Sequence, residues 1–265
     1  RDFILSHEFK NVLHYHTYSN LYIHAFGDGS LPDEPDLTTL TEIGHEMARY
    51  NGYTVGTGLA TIGYTVNGDA VDWTYGGEDI ISYVPEVGSS SQGFWPSEDE
   101  ITQLCSDQLH SNKTFAFVAG SDMVMYSFEL SEEFILPGEE IDLEIVIQNR
   151  GLSDSNGDTE MSFSSLNNLI SLDTESYTMS EMDARDSDDF SLFFTVDGAA
   201  LPGSYSGVIV NLDSDNSFSR QDTIKFLIGQ PETVFYDGFE NELIHWAVDG
   251  DWGLTNDAAT GSFAM

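Results

Sequence analysis

The pattern of apolar residues changes near residue 121, and this change limits the chain to two kinds of fold. Before it, apolar residues at helical spacing alternate with short apolar runs, which is typical of an α/β region. After it, short alternating runs between turn residues predict antiparallel strands at 140–147, 187–196, 205–212 and 223–228. Because each such strand buries one face, together they predict two sheets packed as a β-sandwich.

Composition limits the partners of the chain. Its 265 residues include 46 acidic and 8 basic side chains, for a formal net charge of −38. A charge of this sign repels nucleic acid and anionic membrane surfaces, so nucleic-acid binding is excluded. No apolar run approaches the length of a membrane span. The single Cys105 rules out a disulfide framework within the chain.

Two helices are predicted in the first part of the chain. Leu37, Leu40, Ile43 and Met47 recur at helical spacing and predict an amphipathic helix over 37–50, with His45 facing solvent. Residues 97–100, S-E-D-E, form a capping box that predicts a second helix. On its apolar face we expect the buried residues Ile101, Leu104, Cys105 and Leu109. The glycine-rich segment 53–69 between these helices predicts a mobile surface loop.

Residues 12–27 read V-L-H-Y-H-T-Y-S-N-L-Y-I-H-A-F-G and are predicted to form a strand that ends in a Thr-Tyr-Ser turn. Since side chains alternate along a strand, His14 and His16 share one face and lie one pleat repeat apart. That spacing suits a shared metal ion. On its own, however, it is more typical of two histidines that are satisfied by hydrogen bonds alone.

The apolar run 79–87 predicts a second strand, interior to the sheet, with Glu86 at its carboxyl end. Ligands of open α/β sheets bind beyond the carboxyl ends of strands, which makes Glu86 a candidate general base. The alternative is a carboxylate that simply reaches solvent where the strand ends.

Together these two stretches resemble the zinc carboxypeptidases of the A, B and T type. The matching residues are H-T-Y-S at 16–19, N-G-Y at 51–53, Tyr64, D-W-T-Y at 72–75, Glu86 and G-F-W-P at 93–96. Their order and spacing agree with the family, and the resemblance covers about residues 1–120.

The resemblance implies a role for each matching residue. His16 is implied as a ligand of Zn²⁺, Glu86 as the general base, and Tyr64 as the tyrosine over the terminal carboxylate of the substrate. His14 is at most a neighbour of the metal ligand. The implied substrate-binding residues are Thr17 and Tyr18 in the groove for upstream residues, and Asp69, Val71 and Val84 around the C-terminal side chain. An acidic residue at the place of Asp69 admits basic side chains in carboxypeptidase T-like members, but apolar Val71 and Val84 favour mixed or apolar specificity.

The other zinc ligands of the family come from an H-x-x-E motif, and no H-x-x-E occurs in this sequence. The chain also begins at Arg1 without a signal segment, in what reads as the middle of a domain. We therefore expect the C-terminal half of a catalytic domain, which alone binds zinc weakly or not at all.

The expected fold is therefore α/β, a partial carboxypeptidase-type mixed sheet with helices, followed by an all-β part. The predicted domains are the carboxypeptidase-like half at 1–120, an antiparallel Ig-like β-sandwich at 121–229 and the truncated start of another β-sandwich at 230–265. The opening of the second, P-G-E-E-I-D-L-E-I-V-I-Q-N-R-G, resembles accessory domains of secreted bacterial hydrolases. Acidic turns at 154–158 and 213–216 are predicted hairpin turns, with calcium loops as the alternative.

The predicted function is that of a secreted, extracellular zinc metallocarboxypeptidase, which hydrolyses C-terminal residues from a peptide or protein substrate. The alternative is a carboxypeptidase-like scaffold without catalysis, in which the β-sandwiches serve binding or adhesion. The sequence does not indicate an oligomeric state.

Overall fold

The computed structural model describes residues 1–214 and 219–230. The predicted start of a further β-sandwich at 230–265 therefore lies outside the described residues, apart from Gln230. None of the described helices combines the length and apolar character needed to cross a membrane.

The first part of the chain forms a four-stranded mixed sheet. Its strands are β1 (Asn11–Leu13), β2 (Leu21–His24), β3 (Thr54–Thr57) and β4 (Ile81–Glu86). They lie in the order β1-β4-β2-β3. Strand β4 is parallel to β1 and antiparallel to β2, and β2 is parallel to β3. The predicted mixed sheet is confirmed.

Helices flank this sheet. They are α1 (Asp2–Leu5), α2 (Asp36–Ala48), α3 (Gly58–Thr61), α4 (Ala70–Glu78), α5 (Ile101–Asp107) and α6 (Leu109–Phe117), with a 3₁₀ turn at Glu98–Glu100 before α5. Helix α2 confirms the amphipathic helix predicted over 37–50, since Leu40, Ile43 and Met47 are fully buried on one face. The capping box of Ser97 and Glu100 is also present.

The strand predicted within 12–27 corresponds to β1, and the predicted Thr-Tyr-Ser turn lies in the irregular stretch that follows; β2, the second strand of this segment, was not predicted. The amides of His14 and His16 still donate to carbonyl oxygens of β4, each at 2.9 Å, so the backbone follows β4 beyond the end of β1. Ser19 and Asn20 then adopt φ values of 141° and 57°, which end the extended run.

The glycine-rich loop predicted over 53–69 is also wrong, since it contains β3 and α3. Strand β3 forms because it pairs in parallel with β2, a long-range contact that local composition does not reveal. The side chain of Thr57 then caps α3 by accepting from the amide of Ala60 at 3.3 Å.

The burial predicted for the helix after Ser97 is wrong as well. Cys105 is exposed, and Ile101 and Leu109 are 54% and 55% exposed. Helix α5 buries no residue, because the following helix, α6, makes the contact with α2 instead. Phe115 of α6 is buried in the core that α2 shares with the sheet.

The second part of the chain forms two four-stranded antiparallel sheets around one apolar core. Its strands are β5 (Met123–Leu130), β6 (Glu140–Asn149), β7 (Thr159–Ser165), β8 (Ile170–Leu172), β9 (Ser176–Met179), β10 (Ser187–Val196), β11 (Tyr205–Asp213) and β12 (Ser219–Leu227). The sheets have the orders β5-β6-β10-β8 and β12-β11-β7-β9. The four predicted strands are thus confirmed as β6, β10, β11 and β12, whereas an Ig-like relationship stays a prediction.

The two parts meet along helix α2. Leu152, in the turn after β6, packs against the core of the first part, and its amide donates to the carbonyl oxygen of Val118 at 2.7 Å. Arginines of the β part face acids of α2: Arg150 lies 3.5 Å from Glu46, and Arg185 pairs with Glu42. The junction is therefore both apolar and ionic.

Candidate active site

A cleft of about 560 Å³ opens at the carboxyl end of β4. Its lining includes His14, His16, Ile23, His24, Ile62, Tyr64, Asp69, Val71, Val84 and Glu86. The cleft thus gathers residues that are up to 72 positions apart in the sequence, such as His14 and Glu86.

The register of β1 on β4 orders the side chains in layers. Val12 lies beside Ser82, and His16 forms a bridge with Glu86, so the same offset places His14 beside Val84. In a parallel pair, residues side by side point to the same face. From the mouth inward, the layers are therefore His16 with Glu86, His14 with Val84, and Val12 with Ser82.

His16 and Glu86 meet at the mouth of the cleft. Nδ1 of His16 lies 3.5 Å from Oε1 of Glu86, and the side chains are 67% and 15% exposed. Burial raises the pKa of the Glu86 carboxyl above its ordinary value; nearby His16 opposes this shift, and the charge of Asp69 adds to it. Glu86 is thus held inside the cleft, which does not fit a carboxylate that simply reaches solvent.

Tyr64 lines the cleft, whereas Thr17 and Tyr18 follow His16 in the chain and are not among the lining residues. Tyr64 follows α3 and is 62% exposed. Oγ1 of Thr17 donates to the carbonyl oxygen of Gly93 at 3.3 Å, and the ring of Tyr18 packs edge-on against Phe94 with centroids 4.9 Å apart. The G-F-W-P segment thus supports the segment that contains Thr17 and Tyr18.

Asp69, Val71 and Val84 belong to the wall of the cleft. Val71 and Val84 are buried, and they pack with Leu21 and Ile23 in a small apolar cluster. Asp69 is the N-cap of α4, where its Oδ1 accepts from the amide of Val71 at 3.2 Å. Its carboxylate therefore has a structural partner besides any substrate.

The inner end of the cleft is formed by the hydrogen-bonded side chains of His14, Thr74 and Ser82, which we call the polar floor. The sequence did not predict this network. Nε2 of His14 lies 3.2 Å from Oγ1 of Thr74, which lies 2.8 Å from Oγ of Ser82. Burial lowers the pKa of His14, and the negative charge of Asp69 partly offsets this. Thr74 belongs to the D-W-T-Y motif, but only the observed packing of α4 on β4 brings it beneath His14.

His24 and Asp72 are two further polar residues near the cleft that the sequence did not single out. Nδ1 of His24 donates to the carbonyl oxygen of Ala25 at 2.8 Å, and burial lowers the pKa of this imidazole. Asp72 accepts from the amide of Gly27 at 2.9 Å and 3.1 Å and so ties α4 to the segment after β2.

The described residues do not complete a metal site. Within 1–214 and 219–230, no three His, Cys, Asp or Glu side chains are grouped so as to hold an ion. Protein zinc sites usually have three or more protein ligands, and His16 supplies one imidazole. The described residues also contain no such group at 154–158, where a calcium loop was the alternative to a hairpin turn. The turn at 213–216 lies partly outside the described residues.

Comparison with known proteins identifies the first part of the chain. Residues 1–111 match the sequence profile described as zinc carboxypeptidase. This segment is therefore similar to the zinc carboxypeptidase family. The family is zinc-dependent, and its members are metallocarboxypeptidase-type hydrolases. No curated protein sequence matches the chain.

Three solved structures share limited similarity with the chain. Bovine thrombin-activatable fibrinolysis inhibitor, in complex with tick carboxypeptidase inhibitor, has 24% identity and a TM-score of 0.37 over 42% of this chain and 39% of that one. The FixG-related protein from Vibrio parahaemolyticus has 11% identity and a TM-score of 0.30 over 42% and 97%. Spo0M, the sporulation control protein from Bacillus subtilis, has 13% identity and a TM-score of 0.29 over 42% and 50%. The chain thus spans well under half the length of the bovine protein.

Proposed function

We propose that the zinc-carboxypeptidase segment is the C-terminal part of a catalytic domain that removes C-terminal residues from peptide or protein substrates. The observation that carries the proposal is the pairing of Glu86 with His16, 3.5 Å apart, at the mouth of a cleft with apolar walls. A carboxylate of raised pKa beside an imidazole, above a pocket for a side chain, suits peptide hydrolysis at a chain end.

Glu86 acts in this proposal as the general base that takes a proton from the attacking water. A base is most effective when its pKa approaches the working pH, and burial of Glu86 moves its pKa in that direction. Glu86 thus has both the position and the electrostatic environment that the role requires.

His16 is proposed as one ligand of the zinc ion, with the remaining ligands supplied by residues outside the described ones. When bound, zinc would lower the pKa of a coordinated water to near 7. The side chain of His16 is 67% exposed, so its imidazole is accessible to an ion at the mouth.

Substrate binding is proposed for the rim and the walls. Tyr64 covers the terminal carboxylate, Thr17 and Tyr18 contact the upstream residues, and the pocket between Val71 and Val84 holds the C-terminal side chain. Exposure suits Tyr64 to this role, because a side chain that is 62% exposed can close over a ligand.

The β part is proposed as an Ig-like accessory domain over 121–229, after a catalytic part over 1–120 and before a further β-sandwich that starts at 230–265. A secreted protein with peptide substrates fits this organisation. The competing proposal is a scaffold without catalysis that serves binding or adhesion, and the presence of both His16 and Glu86 in the cleft argues against it.

The substitution Glu86→Gln in the full-length protein separates the two proposals. It preserves the shape of the side chain and removes the base, so kcat should fall at least about a hundredfold while zinc content stays unchanged. Kinetics on a blocked dipeptide and metal analysis of the purified protein measure both quantities. Glu133→Gln, at an exposed acid of the β part, is the control. Full activity of Glu86→Gln would show that the assignment of Glu86 as the general base is wrong. An unsubstituted protein that contains zinc but has no activity would favour the scaffold.

A further inference from the structure

The cleft has apolar walls but a polar floor. Between its walls, which include Ile23, Val71 and Val84, the inner end is formed by His14, hydrogen-bonded to the fully buried Thr74 and Ser82. An apolar pocket that selects only by size would not require a hydrogen-bonding group at this depth, because burying polar groups costs free energy unless they are paired.

The neighbours of Thr74 fix the proton positions of this floor. Its Oγ1 lies 2.9 Å from the carbonyl oxygen of Ala70 and 3.1 Å from that of Val71. Thr74 donates its single hydroxyl proton to one of these carbonyl oxygens or to Oγ of Ser82 at 2.8 Å. Oγ1 then accepts from His14 in the neutral tautomer that carries its proton on Nε2, and this tautomer has a lone pair on Nδ1.

Nδ1 of His14 is the open end of this network. Within the described part of the chain, the only hydrogen bond of the His14 side chain is the one to Thr74, and the residue lines the cleft. His14 lies one pleat repeat inward from His16, which is about 7 Å along the strand. A long side chain that enters from the mouth spans a distance of this size.

Building on the proposed function, we propose that His14 is a specificity-determining residue whose Nδ1 accepts a hydrogen bond from the end of the C-terminal side chain of the substrate. The substrate class is thereby narrowed to peptides that end in a long side chain with a terminal donor, such as tyrosine or lysine. The apolar wall contacts the stem of the side chain and His14 contacts its tip. The negatively charged Asp69 in the same cleft also favours a donor over an acceptor.

Tyrosine and phenylalanine are the sharpest pair of probes, because they differ only by the hydroxyl group. One net hydrogen bond favours tyrosine by about 2- to 12-fold. In the full-length protein, kcat/KM for a blocked peptide ending in tyrosine should exceed that for the phenylalanine peptide by this factor. His14→Leu should bring the ratio to about one, whereas His14→Asn should keep part of it, because asparagine carries an amide oxygen near the position of Nδ1.

Binding provides a readout that does not need catalysis. N-acetyl-L-tyrosine and N-acetyl-L-phenylalanine are titrated into the full-length protein, and the ¹⁵N resonance of His14 Nδ1 is followed. We expect a shift towards the hydrogen-bonded position with the tyrosine derivative alone. His45→Leu, at an exposed histidine of α2, is the control and should leave the preference for tyrosine unchanged.

The outcomes separate this inference from the proposed function. If both peptides are hydrolysed at equal rates, or if His14→Leu keeps the preference for tyrosine, the role of His14 is overturned. The proposed peptidase function is unaffected by either result. A selective ¹⁵N shift without any hydrolysis supports the role of His14 in binding and overturns the peptidase. If the protein shows no hydrolysis and no selective ¹⁵N shift, both the role of His14 and the peptidase function are overturned.

Discussion

Asp122 is a buried carboxylate at the start of the β part, where it binds two arginines of the same part. Its side chain is 1% exposed and accepts from Nε and Nη2 of Arg150 at 2.9 Å and 2.8 Å, and from Nη2 of Arg220. Two arginines thus share one buried carboxylate. The substitution Asp122→Asn removes the charge and keeps the size of the side chain.

The expected loss follows from these contacts. Removing one partner of a buried ion pair typically costs about 3–5 kcal/mol, because the other partner stays buried without compensation. Arg150 and Arg220 are 13% and 25% exposed, and Arg150 also lies 3.5 Å from Glu46, so part of their charge remains solvated or paired. We therefore expect a loss near the lower limit, about 3 kcal/mol, or about 6–12 °C in Tm.

Urea unfolding of the chain, followed by circular dichroism, measures this loss, and amide hydrogen exchange locates it. Exchange should accelerate first in α2 and around Arg150, where the two parts meet. Asp189→Asn is the matched control, since Asp189 is an exposed acid on β10, and it should change the free energy of unfolding by less than about 0.5 kcal/mol. If Asp122→Asn destabilised the chain no more than this control does, the buried carboxylate would not stabilise the β part through its two arginines.

Two further predictions concern histidines. His16→Ala in the full-length protein should lower zinc content together with activity, and added zinc should restore part of both, as metal analysis can show; normal zinc content would contradict the ligand role. His24→Asn should keep the hydrogen bond to Ala25 and remove the titrating group. Since the pKa of His24 is lowered, its contribution to stability is complete above the ordinary value of 6.5 and is lost as the pH falls below it. The protein should therefore lose stability relative to this variant between pH 7.5 and 5 in urea unfolding, and a constant difference would refute the assignment.

Elements with a strong apolar period could be predicted from the sequence, and elements fixed by long-range pairing could not. The spacing of Leu40, Ile43 and Met47 predicts α2 because one face is buried along its whole length. Helix α4 escaped prediction, since Gly76 and Gly77 lower its helix propensity and its N-cap Asp69 stands in a glycine-rich context. Strand β5 escaped because its register on β6 shifts between Met125 and Ser127, which interrupts the alternation.

The same distinction holds for the cleft. Glu86 could be predicted as a site residue because it is a carboxylate at a strand end, and His16 because it belongs to a histidine motif. Their separation of 3.5 Å, however, depends on the pairing of β1 with β4. The place of His14 could not be predicted. It depends on the register of β1 on β4 and on the packing of Thr74 against the sheet, and neither can be inferred from the local sequence.

Helix α2 connects the β part to the cleft. Its outer face presents Glu42 and Glu46 to arginines of the β part, in a chain with only 8 basic residues against 46 acidic ones. Its inner face contacts β4, the strand that ends at Glu86: the hydroxyl of Tyr83 donates to the carbonyl oxygen of Leu40.

A Cβ atom on Gly44 of α2 would lie 2.5 Å from Val55 and 3.2 Å from Tyr83, so helix and sheet are in close contact here. Without the β part, Glu42 would lose Arg185 and Glu46 would lose Arg150, although Glu46 would keep its contacts with Arg49 and His110. The β part therefore supports α2, the helix that packs against β4.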